Sequence, residues 1–248
     1  MDLENKKILI TGGASGLGHA TATYFKKIGA VPILADLPGT ALEETAAALG
    51  VSALGMDVTK SEDVSLALQS LDRLDGVVNC AGIAPAKKIL SRQGPHDLEL
   101  YARVISVNLV GTFNVLRLGA EKMAVNEPNE HGERGGIVNT ASVAAFEGQI
   151  GQAAYASSKG GVVSLTLVAA RELASIGVRV NTIAPGIFAT PMLMSLGDEV
   201  VASLEETTIF PKRLGDPEEF GKLVETCFTN PMLNAAVLRL DGALRMMP

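Results

Sequence analysis

Tyrosine is scarce in this chain, 3 in 248 residues, yet one of them, Tyr155, stands four positions before a lysine, Lys159. Residues four apart on a helix rise from one face, so a phenol and an ammonium become neighbours there. The chemistry open to such a pair is proton transfer. A free phenol has a pKa of about 10, so only about one in a thousand is ionised at pH 7, too few for an efficient base. A cation within a few ångströms lowers such a pKa by about 1 to 3 units, and that is the expectation for Tyr155 beside Lys159. The phenolate would take a proton from an alcohol and return it in the reverse direction. Ser142, in Asn139-Thr140-Ala141-Ser142-Val143, offers a hydroxyl able to orient the same oxygen and stabilise charge developing on it. Asn108, in Val107-Asn108-Leu109-Val110-Gly111, falls inside a helical pattern where asparagine has poor propensity. The reason expected for it is a water held between its backbone or side chain and Lys159, relaying protons to solvent.

A second constellation lies near the start. The strand-like run KKILIT leads straight into Thr11-Gly12-Gly13-Ala14-Ser15-Gly16-Leu17-Gly18 and a helix beginning near His19. Glycines suit a tight turn that lets the backbone approach a pyrophosphate and presents free N–H groups at a helix N-terminus. The second strand ends at Asp36, where the fingerprint of a dinucleotide site places an acid on the adenosine ribose. A carboxylate there accepts hydrogen bonds from the 2'- and 3'-hydroxyls of NAD and repels the 2'-phosphate of NADP. Ala14, Ser15 and Leu37 offer that phosphate no cation, so NAD is the expected cofactor, and its positive nicotinamide ring when oxidised is expected to help Lys159 acidify Tyr155. Asp57-Val58, after the third strand, is placed at the adenine amino group. Asn79-Cys80-Ala81-Gly82, after the fourth, fits the same crevice, with Ala81 and Gly82 leaving room for the cofactor. No metal site is expected.

The elements that must carry these residues follow from the hydrophobic pattern. KKILIT, VPILAD, ALGMD, DGVVNC, GGIVNTA, VRVNTIA and AAVLRL read as strands, apolar on successive residues as when helices cover both faces of a sheet. Helical spacing runs over Leu17 to Gly29, Thr40 to Leu49, Ser61 to Leu71, Asp97 to Val125, Gln152 to Ile176 and Asp216 to Asn230. Asp216-Pro217-Glu218-Glu219 is a helix opening with a capping side chain and acids in the first turn. The alternation predicts one α/β domain over residues 1–248, a Rossmann-like, doubly wound, seven-stranded parallel sheet with helices on both faces. Asn126 to Gly136 is polar and turn-rich and reads as a loop. With 47% apolar and 19% charged residues the chain has the profile of a globular protein. A net charge of -6 without a dense basic run argues against nucleic acid or an anionic membrane as partner. Two cysteines, Cys80 and Cys227, and a start without a secretory or transit pattern suggest a reducing, cytoplasmic setting.

Taken together, Thr11-Gly12 through Gly16-Leu17-Gly18, Asp57, Asn79-Cys80-Ala81-Gly82, Asn108, Ser142, Tyr155 with Lys159, and Pro185-Gly186 resemble the short-chain dehydrogenase/reductase family across essentially the whole chain. The family commonly has Asn where this chain has Cys80. The resemblance implies a catalytic tetrad of Asn108, Ser142, Tyr155 and Lys159. It also implies cofactor contacts at Gly12, Ser15, Gly16, Leu17, Gly18, Asp36, Asp57, Val58, Asn79, Ala81, Gly82, Tyr155, Lys159, Pro185, Gly186, Phe188 and Thr190. The stretches VNCAGIA, NTASVAAFEGQIGQAAYASSKGG, RLGDPEEF and LRLDGALRM look like the type II 3-hydroxyacyl-CoA dehydrogenases, also described as type ten 17β-hydroxysteroid dehydrogenases. That subgroup implies NAD-linked oxidation of 3-hydroxyacyl-CoA to 3-ketoacyl-CoA and a homotetramer.

On the substrate side, residues 187–212 carry Phe188, Met192, Leu193, Met194, Leu196, Ile209 and Phe210 after a Pro-Gly break, and suit a lid over an apolar small molecule or an ordinary helix pair. Gln149 and Gln152 are expected near the thioester with Ser142 and Tyr155, and Lys212-Arg213 near CoA phosphates. Three other readings stay open: a steroid or general secondary-alcohol dehydrogenase, a 3-oxoacyl-carrier-protein reductase, and an NAD-binding scaffold without turnover. Asp36 and the acidic balance disfavour the reductase, which would use NADPH and an acidic partner.

Overall fold

The computed structural model describes residues 1–194 and 197–247. β1 (Lys7–Thr11) leads into α1 (Gly16–Lys27), and β2 (Val31–Asp36), α2 (Thr40–Leu49), β3 (Ser52–Gly55), α3 (Ser61–Gln69) and β4 (Gly76–Asn79) continue the alternation. A small antiparallel hairpin of β5 (Leu90–Ser91) and β6 (Gly94–Pro95) follows. Next come α4 (Leu98–Ile105), a π turn (Ser106–Val110), α5 (Gly111–Ala124), β7 (Gly135–Thr140), α6 (Ala153–Leu173) and β8 (Val178–Pro185). The last part holds α7 (Pro191–Met194), α8 (Asp198–Thr207), α9 (Pro217–Thr229) and β9 (Val237–Leu240).

The seven principal strands form one sheet in the order β3-β2-β1-β4-β7-β8-β9, every pair parallel. Successive strand side chains point to opposite faces, so the unbroken apolar runs supply two cores. On one face Ile8, Ile10, Leu34, Val78 and Val138 meet Phe25 of α1 and Phe220, Val224 and Phe228 of α9. On the other, Leu9, Ile33, Val77 and Ile137 meet Val64 of α3, Val115 of α5 and Ala169 of α6. Each of the buried phenylalanines contributes roughly 1.5 to 3 kcal/mol by leaving water. The order reverses at β1, whose neighbours β2 and β4 send their following segments to opposite sides, and a crevice opens beyond the carboxyl ends of the strands.

One feature departs from the sequence reading. The single helix expected over Asp97 to Val125 is α4 and α5 joined by the π turn that contains Asn108. The extra residue in that turn lets the Asn108 side chain reach sideways into neighbouring backbone, which explains an asparagine in a helical stretch. The 187–212 segment holds two helices, α7 and α8, as one of its two expected readings has it; Leu196 lies outside the described residues. The opening of α9 is a capping box, with Asp216 accepting from the Glu218 N–H at 2.9 Å and Glu219 accepting from the Asp216 N–H at 2.8 Å. Among the described residues no helix is long and apolar enough to cross a membrane.

Candidate active site

A cleft of about 790 Å³ fills the crevice. At one end the turn after β1 approaches the β4 end so closely that a Cβ on Gly12, which has φ +65°, would lie 2.9 Å from the Ala81 nitrogen. A Cβ on Gly18 would lie 2.3 Å from the Gly12 carbonyl oxygen. Ser15 is the N-cap of α1 but makes no side-chain cap bond, so the first-turn N–H groups stay open to an anion. Asp36 is fixed by the backbone: Oδ2 accepts from the Ala14 N–H at 3.1 Å and Oδ1 from the Leu37 N–H at 2.8 Å. Its remaining lone pairs face the cleft, which Asp36 lines. Asp57 accepts from the Thr59 hydroxyl at 2.7 Å, and that bond holds its carboxyl below the usual range. Val58 is held from behind by Asn114, which donates to its carbonyl at 2.9 Å. Uncapped helix, close-approach glycines and a presented carboxylate fit the pyrophosphate and ribose of a dinucleotide.

At the other end, the first turns of α6 bring Tyr155 and Lys159 to the cleft wall with Ser142 from the end of β7. Lys159 is only 4% exposed, and its ammonium donates to the Thr140 carbonyl at 2.7 Å. It lies 5.8 Å from the centre of the Tyr155 ring. Burial pulls the Lys159 ammonium down to about 8. Burial also pushes the Tyr155 phenol up, with hydrogen bonding to Ser142 acting in the opposite sense. Burial is the larger of these two effects, and the expected lowering, by Lys159 together with an oxidised nicotinamide ring, concerns the cofactor-bound site. The Ser142 hydroxyl accepts from the Ala144 N–H at 3.1 Å, which leaves its own proton to donate into the cleft. Cys80 lines the same wall, and burial pushes its thiol up to about 11, so it stays neutral there.

Asn108 stands one layer behind. Its Oδ1 accepts from the Ile83 N–H at 2.8 Å, and its Nδ2 donates to the Ile83 carbonyl at 2.9 Å and the Ser158 hydroxyl at 3.0 Å. The side chain therefore ties the loop after β4, which carries Gly82 and Ile83, to the helical stretch. The Asn108 backbone carbonyl accepts from the Thr112 hydroxyl at 2.7 Å.

Comparison with known proteins places this geometry. The short chain dehydrogenase family model matches residues 6–200. The chain is a short-chain dehydrogenase. It is similar to the 3-hydroxyacyl-CoA dehydrogenase type-2 of Drosophila melanogaster, 54% identical over 99% of this chain and 100% of that protein. The human protein of the same name is 53% identical over 97% of this chain and 95% of its own length. A crystal structure of 3-hydroxyacyl-CoA dehydrogenase type-2 from Mycobacterium avium covers 99% of this chain and 98% of that one, at 42% identity and a TM-score of 0.94. The protein is thus an oxidoreductase of a pyridine-nucleotide-dependent family.

In this dehydrogenase the cleft gathers most of the residues named from the sequence: the glycine turn, Asp36, Asp57, Val58, Ala81, Gly82, Ser142, Tyr155, Lys159, Pro185, Gly186, Phe188 and Thr190. Others are not brought there. Asn79 is 3% exposed and donates to Asn139 across the sheet at 2.9 Å, because it sits within β4 and not beyond its end. Gln149 and Gln152 bond to each other, Gln149 also donates to the Met247 carbonyl, and neither lines the cleft. Arg213 is taken up by Glu219 in a two-pronged ion pair at 2.9 and 2.7 Å, so it is not free for a phosphate. Sequence reasoning missed Ile83 and Arg103 in the lining. For Arg103 a signal existed: it lies one helical turn before Val107, which also lines the cleft.

Proposed function

We propose that the protein is an NAD-dependent dehydrogenase that interconverts 3-hydroxyacyl-CoA and 3-ketoacyl-CoA, with Tyr155 as the proton carrier. The observation that carries this reading is the placement of Tyr155, Ser142 and Lys159 in one cleft with the glycine turn and Asp36. NAD, when bound, supplies the hydride acceptor. Gly12, Ser15, Gly16, Leu17 and Gly18 would cradle its pyrophosphate, Asp36 its adenosine ribose, and Asp57 and Val58 its adenine. Ser142 donates to the substrate oxygen and Tyr155 removes its proton. Lys159 keeps a positive charge at the inner end of the cleft, which favours phenolate over phenol there. Asn108, through its backbone or side chain, would hold the relay water. Preference for NAD over NADP is supported by the Asp36 carboxylate at the cleft rim, where a 2'-phosphate would meet like charge.

The acyl-CoA assignment is supported by the whole-length similarity to proteins of that name and by the apolar wall of Ile187, Phe188 and Leu193. A cytoplasmic homotetramer is the assembly we propose. Both described cysteines are free thiols, which suits a reducing compartment. Val110 and Phe113 near α5 and Leu167 and Val168 on α6 are exposed apolar side chains that subunit contacts would cover. The test is NADH formation from NAD with 3-hydroxybutyryl-CoA, a steroid alcohol and simple secondary alcohols. The thioester is expected to react fastest, with NADP a poor substitute. Faster turnover of the steroid or simple alcohols would overturn the substrate assignment, and tight NAD binding without turnover of any would favour a scaffold.

A further inference from the structure

The segment Arg239–Met247 runs behind three walls of the cleft without lining it. Gly186 donates its N–H to the Leu240 carbonyl at 2.9 Å, and a Cβ on Gly186 would lie 2.9 Å from the Asp241 Cα, so the segment backs the Pro185–Gly186 wall. Ile209 and Phe210 both donate to the Gly242 carbonyl, at 3.2 and 3.1 Å, so it also holds the far end of the 187–212 segment. Its third attachment is to the stretch between Ser142 and Tyr155. Arg239 grips Glu147 with both Nη atoms, at 2.8 and 3.2 Å. The Met246 N–H donates to Glu147 at 3.1 Å, Arg245 lies 3.4 Å from it, and Gln149 donates to the Met247 carbonyl at 3.0 Å. Arg239 is itself fixed by Asp241 at 2.6 Å and stacks 5.5 Å over the Phe146 ring.

That third attachment matters because the stretch has few others, chiefly the Lys87 N–H donating to the Gly151 carbonyl at 2.8 Å. Ser142 belongs to the end of β7 and Tyr155 to the first turn of α6, and between them only the short turn Val143–Ala145 is regular structure. No residue from Ala145 to Ala153 is buried, and Phe146 and Ile150 are exposed. Apolar packing therefore does not fix its course, and polar bonds must. The cluster of Glu147 and Asp241 with Arg239 and Arg245 balances its own charge. The side chains of Glu147, Arg239 and Asp241 are 21%, 24% and 9% exposed, sheltered enough for the pairs to persist in salt.

We infer that Glu147, gripped by Arg239, is a positioning residue that keeps the Ser142 hydroxyl and the Tyr155 phenol on one substrate oxygen. The inference rests on the reading of Tyr155 as proton carrier. Two groups from different elements must converge on a single atom, and a misplacement of about 1 Å costs on the order of a hundredfold in rate. The groups facing Glu147 are Arg239, Arg245 and the Met246 N–H; those facing the Tyr155 phenol are Ser142 and Lys159, with Cys80 beside Lys159.

The experiment is Glu147→Gln in the whole protein, with kcat, KM for both substrates, NAD affinity and the pH profile of alcohol oxidation. We expect kcat to fall about tenfold while NAD affinity stays within about twofold. The half-maximal pH should move upward, because a displaced Ser142 no longer opposes the raised phenol pKa. Arg239→Lys, which keeps the charge but not the fork, should fall between Glu147→Gln and the wild type. Unchanged kcat and pH profile beside a lowered unfolding temperature would make the clamp merely structural and overturn the inference. Should Glu147→Gln fail to fold, Gln149→Ala removes the tether to Met247 together with the weak bond from Gln152, and is expected to lower kcat by about threefold; an unaltered kcat there overturns it equally. An active Tyr155→Phe variant defeats the reading of the site, whereas an inactive one beside a fully active Glu147→Gln defeats this inference alone.

Discussion

In the cofactor half of the cleft, contacts are made by backbone: Gly12 against Ala81, Gly18 against Gly12, and Asp36 held by the N–H groups of Ala14 and Leu37. In the substrate half they are made by long side chains across the chain, Arg239 to Glu147 over 92 positions and Gln149 to Met247 over 98. A backbone-built site tolerates almost no change of residue, because a Cβ has nowhere to go. A site built from side-chain bonds can be loosened in steps, which leaves the substrate half free to vary while the dinucleotide half stays fixed.

The sharpest break of that contrast comes from Gly18→Ala. Its Cβ would meet the Gly12 carbonyl, so NAD affinity should fall by at least about tenfold, read by titration of cofactor fluorescence quenching. Unaltered affinity would mean the turn is not backbone-limited. Asp36→Ala comes next: NAD affinity should drop by about tenfold and NADP gain relative to it, in a comparison of kcat/KM for the two cofactors. A preference that does not move would remove Asp36 from the ribose. A third effect concerns stability. The folded pKa of Lys159, about 8, lies below its ordinary 10.5, so the unfolded chain binds more protons between those values and stability rises with pH across that window. The penalty is full below about 8 and gone above 10.5, so Lys159→Met should stabilise the ligand-free protein at pH 7 more than at pH 11 in thermal melts. A gain equal at both pH values would contradict it. The smallest effect is expected for Arg213→Ala, an exposed ion pair whose loss should leave the thermal midpoint almost unmoved.

The same contrast explains what the sequence could show. All seven strands of the sheet, the helix opening at Asp216, and Tyr155 with Lys159 on one helix face were legible, because each follows from periodicity or spacing over a few residues. The π turn at Asn108 was not, since it answers to the backbone of Ile83, distant in sequence. Asn79 was placed one residue too far along, where a strand end and a loop start look alike. Gln149, Gln152 and Arg213 have the right chemistry for a substrate, but partners brought by folding engage them first. The Glu147 and Arg239 clamp has no local signature at all.

The most direct test of the account is Tyr155→Phe, which removes one oxygen and keeps the ring. The expected result is a loss of kcat of roughly a hundredfold to ten-thousandfold with NAD affinity unchanged. A variant that binds NAD and oxidises the alcohol at close to the wild-type rate would contradict it.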